Sequence, residues 1–187
     1  MSVEIEAKIK VDDFEPVRQR LMDAGGRRIG AVLETNAFYD TPSGTLVAAD
    51  KGLRLRRTKD QSTGEEQFII TVKGPQQSGA FKSREEAEVH VASGDKAAEV
   101  IKLLGFFPTL SFEKRRESFE MGGCKIEFDE VPILGRFVEI EGPGEQAISS
   151  VRQKLGLTDR PPIKTGYISM LSKHLRDTGD RRKEITL

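Results

Sequence analysis

The chain has 187 residues, enough for one domain with a sizeable core and too few for two comfortable ones. Thirty basic side chains balance thirty acidic ones, so the basic excess of a general nucleic-acid or membrane binder is missing. The single cysteine, Cys124, excludes an intrachain disulfide and a multi-cysteine metal site, and no apolar run approaches membrane-spanning length. A cytoplasmic protein is the expectation.

Apolar and charged residues alternate strictly through residues 2–11. Val3, Ile5, Ala7, Ile9 and Val11 take one side of a strand, and Glu4, Glu6, Lys8 and Lys10 the other. Asp12-Asp13 and Pro16 then open a helix with a stripe of Phe14, Val17, Leu21 and Ala24, ended by Gly25-Gly26. Residues 32–41 read as a strand, closed by the turn Asp40-Thr41-Pro42-Ser43-Gly44, and residues 46–50 as a helical turn. Residues 53–58 alternate again, with Arg54 and Arg56 opposite Leu53 and Leu55, and a polar hairpin leads to a strand over 67–73. A glycine-rich connection over 74–79 precedes a strand over 81–91 that carries Lys82, Arg84, Glu86, Glu88 and His90 on one face. Asp95 begins a helix with Ala98, Ile101 and Leu104 buried. Strands at 111–119, 124–131 and 135–141 follow, and their alternate positions hold Lys114 and Arg116, then Lys125, Glu127 and Asp129, then Glu139 and Glu141. Pro143 opens a third helix (Ile148, Val151, Leu155), and a last helix spans about 166–175. The two halves look alike, each reading strand, helix, then three strands, from Val3 and again from Phe81. One domain over 1–175 is expected, with a charged, flexible tail over 176–187.

Helices with a single apolar stripe must bury it, and the apolar surface on offer is the other face of these strands. The charged faces are left to face one another, and eight antiparallel strands suffice to close a barrel. The predicted fold is α+β: an eight-stranded antiparallel barrel with helices outside. So many charges in a sealed core would cost many kcal/mol, so the lumen must be wet and open to a ligand. Clustered guanidinium and ammonium groups match phosphate oxygens. Carboxylates beside them can reach the same anion through a divalent cation, and oxygen ligation favours Mg²⁺ or Mn²⁺ over zinc. The competing picture is an open sheet with surface ion pairs.

The pattern Glu4-x-Glu6-x-Lys8 resembles the N-terminal motif of the CYTH, or triphosphate tunnel, family. Further blocks follow in that family's order: Phe38-Tyr39-Asp40-Thr41, Leu53-Arg54-Leu55-Arg56, Thr71-Val72-Lys73-Gly74-Pro75, Arg84-Glu85-Glu86-Ala87-Glu88, Glu113-Lys114-Arg115-Arg116, Phe128-Asp129-Glu130-Val131, the stretch from Leu134 to Glu141, and Lys164-Thr165-Gly166-Tyr167. The second half is most similar to class IV adenylyl cyclases, whereas residues 39–57 are similar to the triphosphatases of the family.

The resemblance implies a charged tunnel that holds a triphosphate with Mg²⁺ or Mn²⁺. It implies Glu4, Glu6, Glu139 and Glu141 as chief metal carboxylates, with Glu86, Glu88 and Asp129 as further candidates. It implies Lys8, Arg54, Arg56, Lys73, Arg84, Lys114 and Arg116 as phosphate ligands. Lys8, Arg116 and Asp129 are expected nearest the chemistry, Asp129 as a base. For Glu86, Glu127 and Lys10 a supporting ion pair is an equal reading, and Tyr39 can serve the tunnel mouth or the packing. The expected partner is a small-molecule triphosphate (ATP, tripolyphosphate or thiamine triphosphate), bound by a monomer or homodimer with no nucleic acid or membrane. Three functions compete: a cyclase making cyclic AMP and pyrophosphate from ATP, a triphosphatase, and a non-catalytic polyphosphate or nucleotide binder.

Overall fold

A computed structural model describes residues 2–187. Its strands are β1 (Ser2–Val11), β2 (Arg27–Asp40), β3 (Gly52–Asp60), β4 (Glu66–Gln76), β5 (Lys82–Val91), β6 (Phe107–Met121), β7 (Cys124–Val131), β8 (Gly135–Glu141) and β9 (Glu184–Ile185). The helices are α1 (Glu15–Asp23), α2 (Thr45–Ala48), α3 (Gly94–Leu103), α4 (Glu145–Lys154) and α5 (Tyr167–Thr178). The first eight strands pair antiparallel in the order β2-β3-β4-β5-β1-β8-β7-β6, and β2 pairs with β6 to close the ring. The expected barrel is present. Among the described residues no helix is long and apolar enough to cross a membrane.

The order of strands interleaves the two halves. β5 follows β4 in the ring and β1 follows β8, so each half lends its first strand to the other's sheet. The β1–β5 seam places Glu4 opposite Arg84 and Glu6 opposite Lys82. On its other side β1 places Glu6 opposite Glu141 and Lys8 opposite Glu139. Charges far apart in sequence are thereby gathered at one level of the lumen.

Most helices cover the apolar outer face. Val17 and Leu21 of α1, Ile148 and Val151 of α4 and Leu155 just past it share one core with Ala7, Ile9, Phe119, Ile126, Phe128, Val138 and Ile140 from the strands. Ala97 and Ile101 of α3 pack with Leu55 and Tyr39. α5 departs from the expectation. It lies across one end of the barrel and sets Tyr167 edge-on to Phe137 (5.1 Å between ring centroids) and Phe112 (6.4 Å). α2 is built by its own N-terminal turn. The Asp40 carboxylate accepts hydrogen bonds from the backbone N–H of Thr41 (2.7 Å), Leu46 (2.9 Å) and Val47 (3.0 Å).

Several sequence expectations shift. No side chain caps α1, whose first turn begins after Phe14, and Ala24 is exposed because it lies past the last helical residue. Ser93 caps α3, accepting from Lys96 N (3.3 Å), in place of Asp95. Leu104, expected in the core, is 70% exposed, because α3 meets the sheet through Ala97 and Ile101. β2 begins five residues earlier than the apolar pattern indicates, and β4 runs on through Gly74 to Gln76. The tail also folds back: β9 pairs parallel with β6, Ile185 opposite Phe112, and Ile185 is 2% exposed. One apolar side chain in a charged string suffices, because the first part of β6 has an edge that β7 leaves uncovered. Ile185→Ala is expected to lower stability by about 2 kcal/mol, read as a lower urea midpoint at unchanged slope. An unchanged midpoint would contradict packing of the tail.

Candidate functional site

The barrel encloses a cavity of about 480 Å³, a size suited to a small-molecule ligand. Its basic wall comes from β3 and β6, strands that flank β2. Arg54 and Arg56 leave β3, Lys114 and Arg116 leave β6, and Lys8 of β1 approaches beneath α5; all five line the cavity. Lys8 is 1% exposed and donates to the Thr165 carbonyl (3.0 Å), with Glu139 at 3.4 Å and the Tyr167 ring 4.3 Å from its ammonium.

Arg54 is the least compensated of these cations. Its Nη2 donates to Thr71 Oγ1 (3.0 Å) and Glu88 Oε1 (3.3 Å), while its buried Nε has no hydrogen-bond partner among the described residues. Burial, reinforced by neighbouring Arg56, lowers its pKa to about 10. A buried guanidinium N–H without a partner favours an incoming oxygen anion. Arg116 is the opposite case. Asp129, Glu127 and Glu139 all hold it; burial opposes its charge, but Asp129, Glu127 and Glu34 outweigh burial and push its pKa well above the ordinary value.

The acidic wall comes from β1, β5, β7 and β8. Glu4, Glu6, Glu86, Glu127, Glu139 and Glu141 all line the cavity. Lysines stand among them: Lys73 between Glu4 (3.1 Å) and Glu86, Lys82 on Glu6 (2.7 Å), and Lys125 on Glu127 (2.6 Å). Among the described residues, no group of three or more His, Cys, Asp or Glu side chains is drawn together as a ready metal cage. The carboxylates nonetheless crowd one another. Burial and a hydrogen bond shared with Glu4 push Glu86 up to about 8; burial and the charges of Glu4 and Glu127 push Glu141 up to about 7. Glu4 goes down to about 2: burial opposes ionisation, but the Glu86 hydrogen bond and Lys73 outweigh it. Such a set of oxygen donors fits a hard divalent cation, whose charge relieves the repulsion the carboxylates otherwise settle by taking up a proton.

Three expected site residues are placed differently. Asp129 is fully buried at 0% exposure and does not line the cavity. It accepts from Lys114 (2.9 Å), Arg116 Nε (2.6 Å) and the Tyr167 hydroxyl (3.1 Å), which leaves it holding cations rather than meeting a ligand. Arg84 lines the cavity, but its guanidinium is engaged by Asp50 O, Gly74 O and Asp50 Oδ1, each at 2.7 Å. It ties the segment after α2 to the end of β4. Glu88 stands with Arg54 and Thr71, which donates to it at 2.7 Å, rather than bridging to the β1 and β8 carboxylates.

Four contributors were not among the expected site residues: Glu34 and Asn36 on β2, Lys82 on β5 and Tyr167 on α5. Lys82 shares the face of Arg84 and Glu86, so its alternation was visible. On β2 the inward set runs Glu34, Asn36, Phe38, Asp40, too mixed to signal a charged face.

The CYTH domain model matches residues 2–158. The chain belongs to the CYTH domain family. MJ0240 of Methanocaldococcus jannaschii, named as a candidate adenylate cyclase, is 29% identical over 152 residues, 81% of each chain. The adenylate cyclase CyaB of Aeromonas hydrophila is 32% identical over 124 residues, 65% of this chain and 60% of that one. Among solved structures, PH1819 of Pyrococcus horikoshii superimposes with a TM-score of 0.80 at 25% identity, covering 91% of this chain and 99% of that one. HpAC1 of Hippeastrum, described with a dominant triphosphatase activity, shares the fold at a TM-score of 0.70 and 14% identity, covering 93% and 96% of the two chains. In this CYTH domain, α5 and β9 lie beyond the matched region, yet Gly166, Tyr167, Ile168 and Ser169 complete one end of the cavity.

The raised carboxyls set the sign of a pH dependence. Folded Glu86 and Glu141 hold protons that unfolded carboxyls have lost above their ordinary 4.5, so stability without divalent cation falls as pH rises from 4.5 to about 8. The lowered Glu4 acts below 4.5, outside that window. Thermal melts in EDTA are expected to show this decline, Glu86→Gln to flatten it, and Mg²⁺ or Mn²⁺ to restore stability at pH 8. A flat profile in EDTA would contradict the crowding of these carboxylates.

Proposed function

We propose that this CYTH domain is a divalent-metal-dependent enzyme that draws a triphosphate into its barrel, and that its reaction is the adenylyl cyclase reaction on ATP. The observation that carries the triphosphate is the basic wall of Arg54, Arg56, Lys114, Arg116 and Lys8, with Arg54 under-bonded inside the cavity. Cyclase names among the relatives MJ0240 and CyaB support the choice of reaction. The family reading, and not the barrel, makes that choice, because the same walls would serve water as nucleophile.

In this reading the five cations bind and orient the phosphate chain, and their fixed charge stabilises the negative charge that builds up on the leaving pyrophosphate. The 3′-hydroxyl oxygen of the ribose bonds to the α-phosphorus as the bond from that phosphorus to the bridging oxygen breaks, and the hydroxyl proton is released to solvent. Cyclic AMP and pyrophosphate result. Glu4, Glu6, Glu139 and Glu141 would hold Mg²⁺ or Mn²⁺, which supplies charge neutralisation at the phosphate oxygens and lowers the pKa of the attacking hydroxyl. Lys73 and Lys82 pair with Glu4 and Glu6. Asp129, which the sequence suggested as base, holds Arg116 and Lys114 in place instead.

Triphosphatase activity is the second reading, favoured by the activity described for the same fold in HpAC1. Incubation of the protein with ATP, tripolyphosphate and thiamine triphosphate in Mg²⁺ or Mn²⁺, with product identification, separates the two. Cyclic AMP and pyrophosphate from ATP are expected. Orthophosphate from tripolyphosphate would transfer the assignment to a triphosphatase, tight binding without product would make the protein a sensor, and no binding would reject the reading. Glu4→Gln with Glu6→Gln is expected to abolish turnover while leaving the protein folded, and Arg54→Ala to weaken triphosphate binding about tenfold or more. Unchanged activity in the double variant would overturn the metal assignment.

A further inference from the structure

Glu34 has no place in the reading of the site so far, and it is one of the most buried charges in the chain, at 2% exposure. β2 lies between β3 and β6, so one side chain on it reaches cations from both neighbours. Glu34 Oε1 lies 3.3 Å from Arg56 Nη1 and 3.8 Å from Arg116 Nε, and Oε2 lies 3.4 Å from Lys114 Nζ. Asn36, one pleat further along, completes the link. Its Nδ2 donates to Glu34 Oε2 (3.3 Å), and its Oδ1 accepts from Arg56 Nε (2.9 Å). Arg56, Lys114, Arg116 and Asn36 line the cavity, whereas Glu34 stands behind them.

That placement separates Glu34 from the carboxylates of the acidic wall. Glu4, Glu6 and Glu141 face the cavity, where a ligand can displace the lysine partners of Glu4 and Glu6. A ligand in the cavity meets the cations before it could meet Glu34, so the contacts of Glu34 persist when the site fills. Burial opposes ionisation of Glu34, but Arg56, Lys114 and Arg116 outweigh it and hold the carboxyl well below its ordinary value. It is a fixed negative charge at the back of the basic wall.

We propose that Glu34 is a positioning residue: through Arg56, Lys114 and Arg116 it fixes the spacing of the cations that hold the triphosphate, and its charge weakens ground-state binding in exchange. Without it Arg56 of β3 would meet Lys114 and Arg116 of β6, both still tied to Asp129, with no negative charge between the two strands' cations, and would be pushed away in a low-dielectric wall. An anion would then be met by more net positive charge, less well arranged. Binding would tighten and the oriented reaction would slow, the pattern expected when uniform binding is exchanged for orientation. The proposal rests on the triphosphate reading of the site.

The test uses Glu34→Gln and Glu34→Asp in the full chain, with titration calorimetry of tripolyphosphate in EDTA and steady-state kinetics on the substrate the wild type turns over. Glu34→Gln is expected to bind tripolyphosphate roughly threefold more tightly and to lose about tenfold or more in kcat, so that kcat and KM fall together. Glu34→Asp keeps the charge on a shorter arm. It is expected to bind within about twofold of wild type while still losing about tenfold in kcat. A support role in folding alone would lower the melting temperature without tightening the binding. Weaker or unchanged binding by folded Glu34→Gln would overturn the proposal. Should Glu34→Gln fail to fold, wild-type kcat in Glu34→Asp would overturn it alone. Failure of wild-type protein to bind tripolyphosphate both in EDTA and with Mn²⁺ would reject the triphosphate reading itself, a distinct result.

Discussion

Opposite charges held inside one barrel, each offsetting the other around a cavity, are the constraint on which the rest of this structure depends. An ionised side chain removed from water without a partner is costly enough to unfold a domain of this size. Here the cations of β3 and β6 are offset by Glu34 and Asp129 from behind and by Glu127 and Glu139 from the side. The carboxylates of β1 and β5 are offset by Lys73 and Lys82. The compensation is incomplete at two kinds of place. Arg54 keeps an unpartnered N–H, and Glu86 and Glu141 have been pushed up into or above the neutral range. One place calls for an anion and the other for a cation, which is the demand a metal–polyphosphate complex meets.

The topology serves that arrangement. Exchange of first strands between the halves puts β1 at the seam, so the Glu4-x-Glu6-x-Lys8 stretch has β5 on one side and β8 on the other. The greasy faces of the same strands then need covering from outside, and α1, α3 and α4 supply the cover. α5 adds an end wall. Its Tyr167 joins the aromatic pair Phe112 and Phe137 to the Lys8 and Lys114 ammonium groups, linking packing to the charged site.

How much of this could be read from sequence follows from where each signal lies. Strict alternation exposed Glu4, Glu6, Lys8, Arg54 and Arg56, because period two states which side chains share a face. It gave the inward direction of Asp129 correctly but not its depth, which depends on Lys114, Arg116 and Tyr167 standing across from it on other elements. Arg84 likewise faces inward, and only the path of the chain after α2 brings Asp50 to engage it. Glu34 went unseen because its strand mixes Asn, Phe and Asp on the inward face. β9 went unseen because a lone Ile185 carries no periodicity, and its partner is the edge left where β6 runs past the end of β7.

The most direct test is crystallographic: soak the protein with tripolyphosphate and Mn²⁺ and locate the manganese by its anomalous signal. The account predicts phosphate density inside the barrel against Arg54, Arg56, Lys114 and Arg116, with manganese among Glu4, Glu6, Glu139 and Glu141. An empty barrel, with phosphate and manganese on the outer surface, would contradict it.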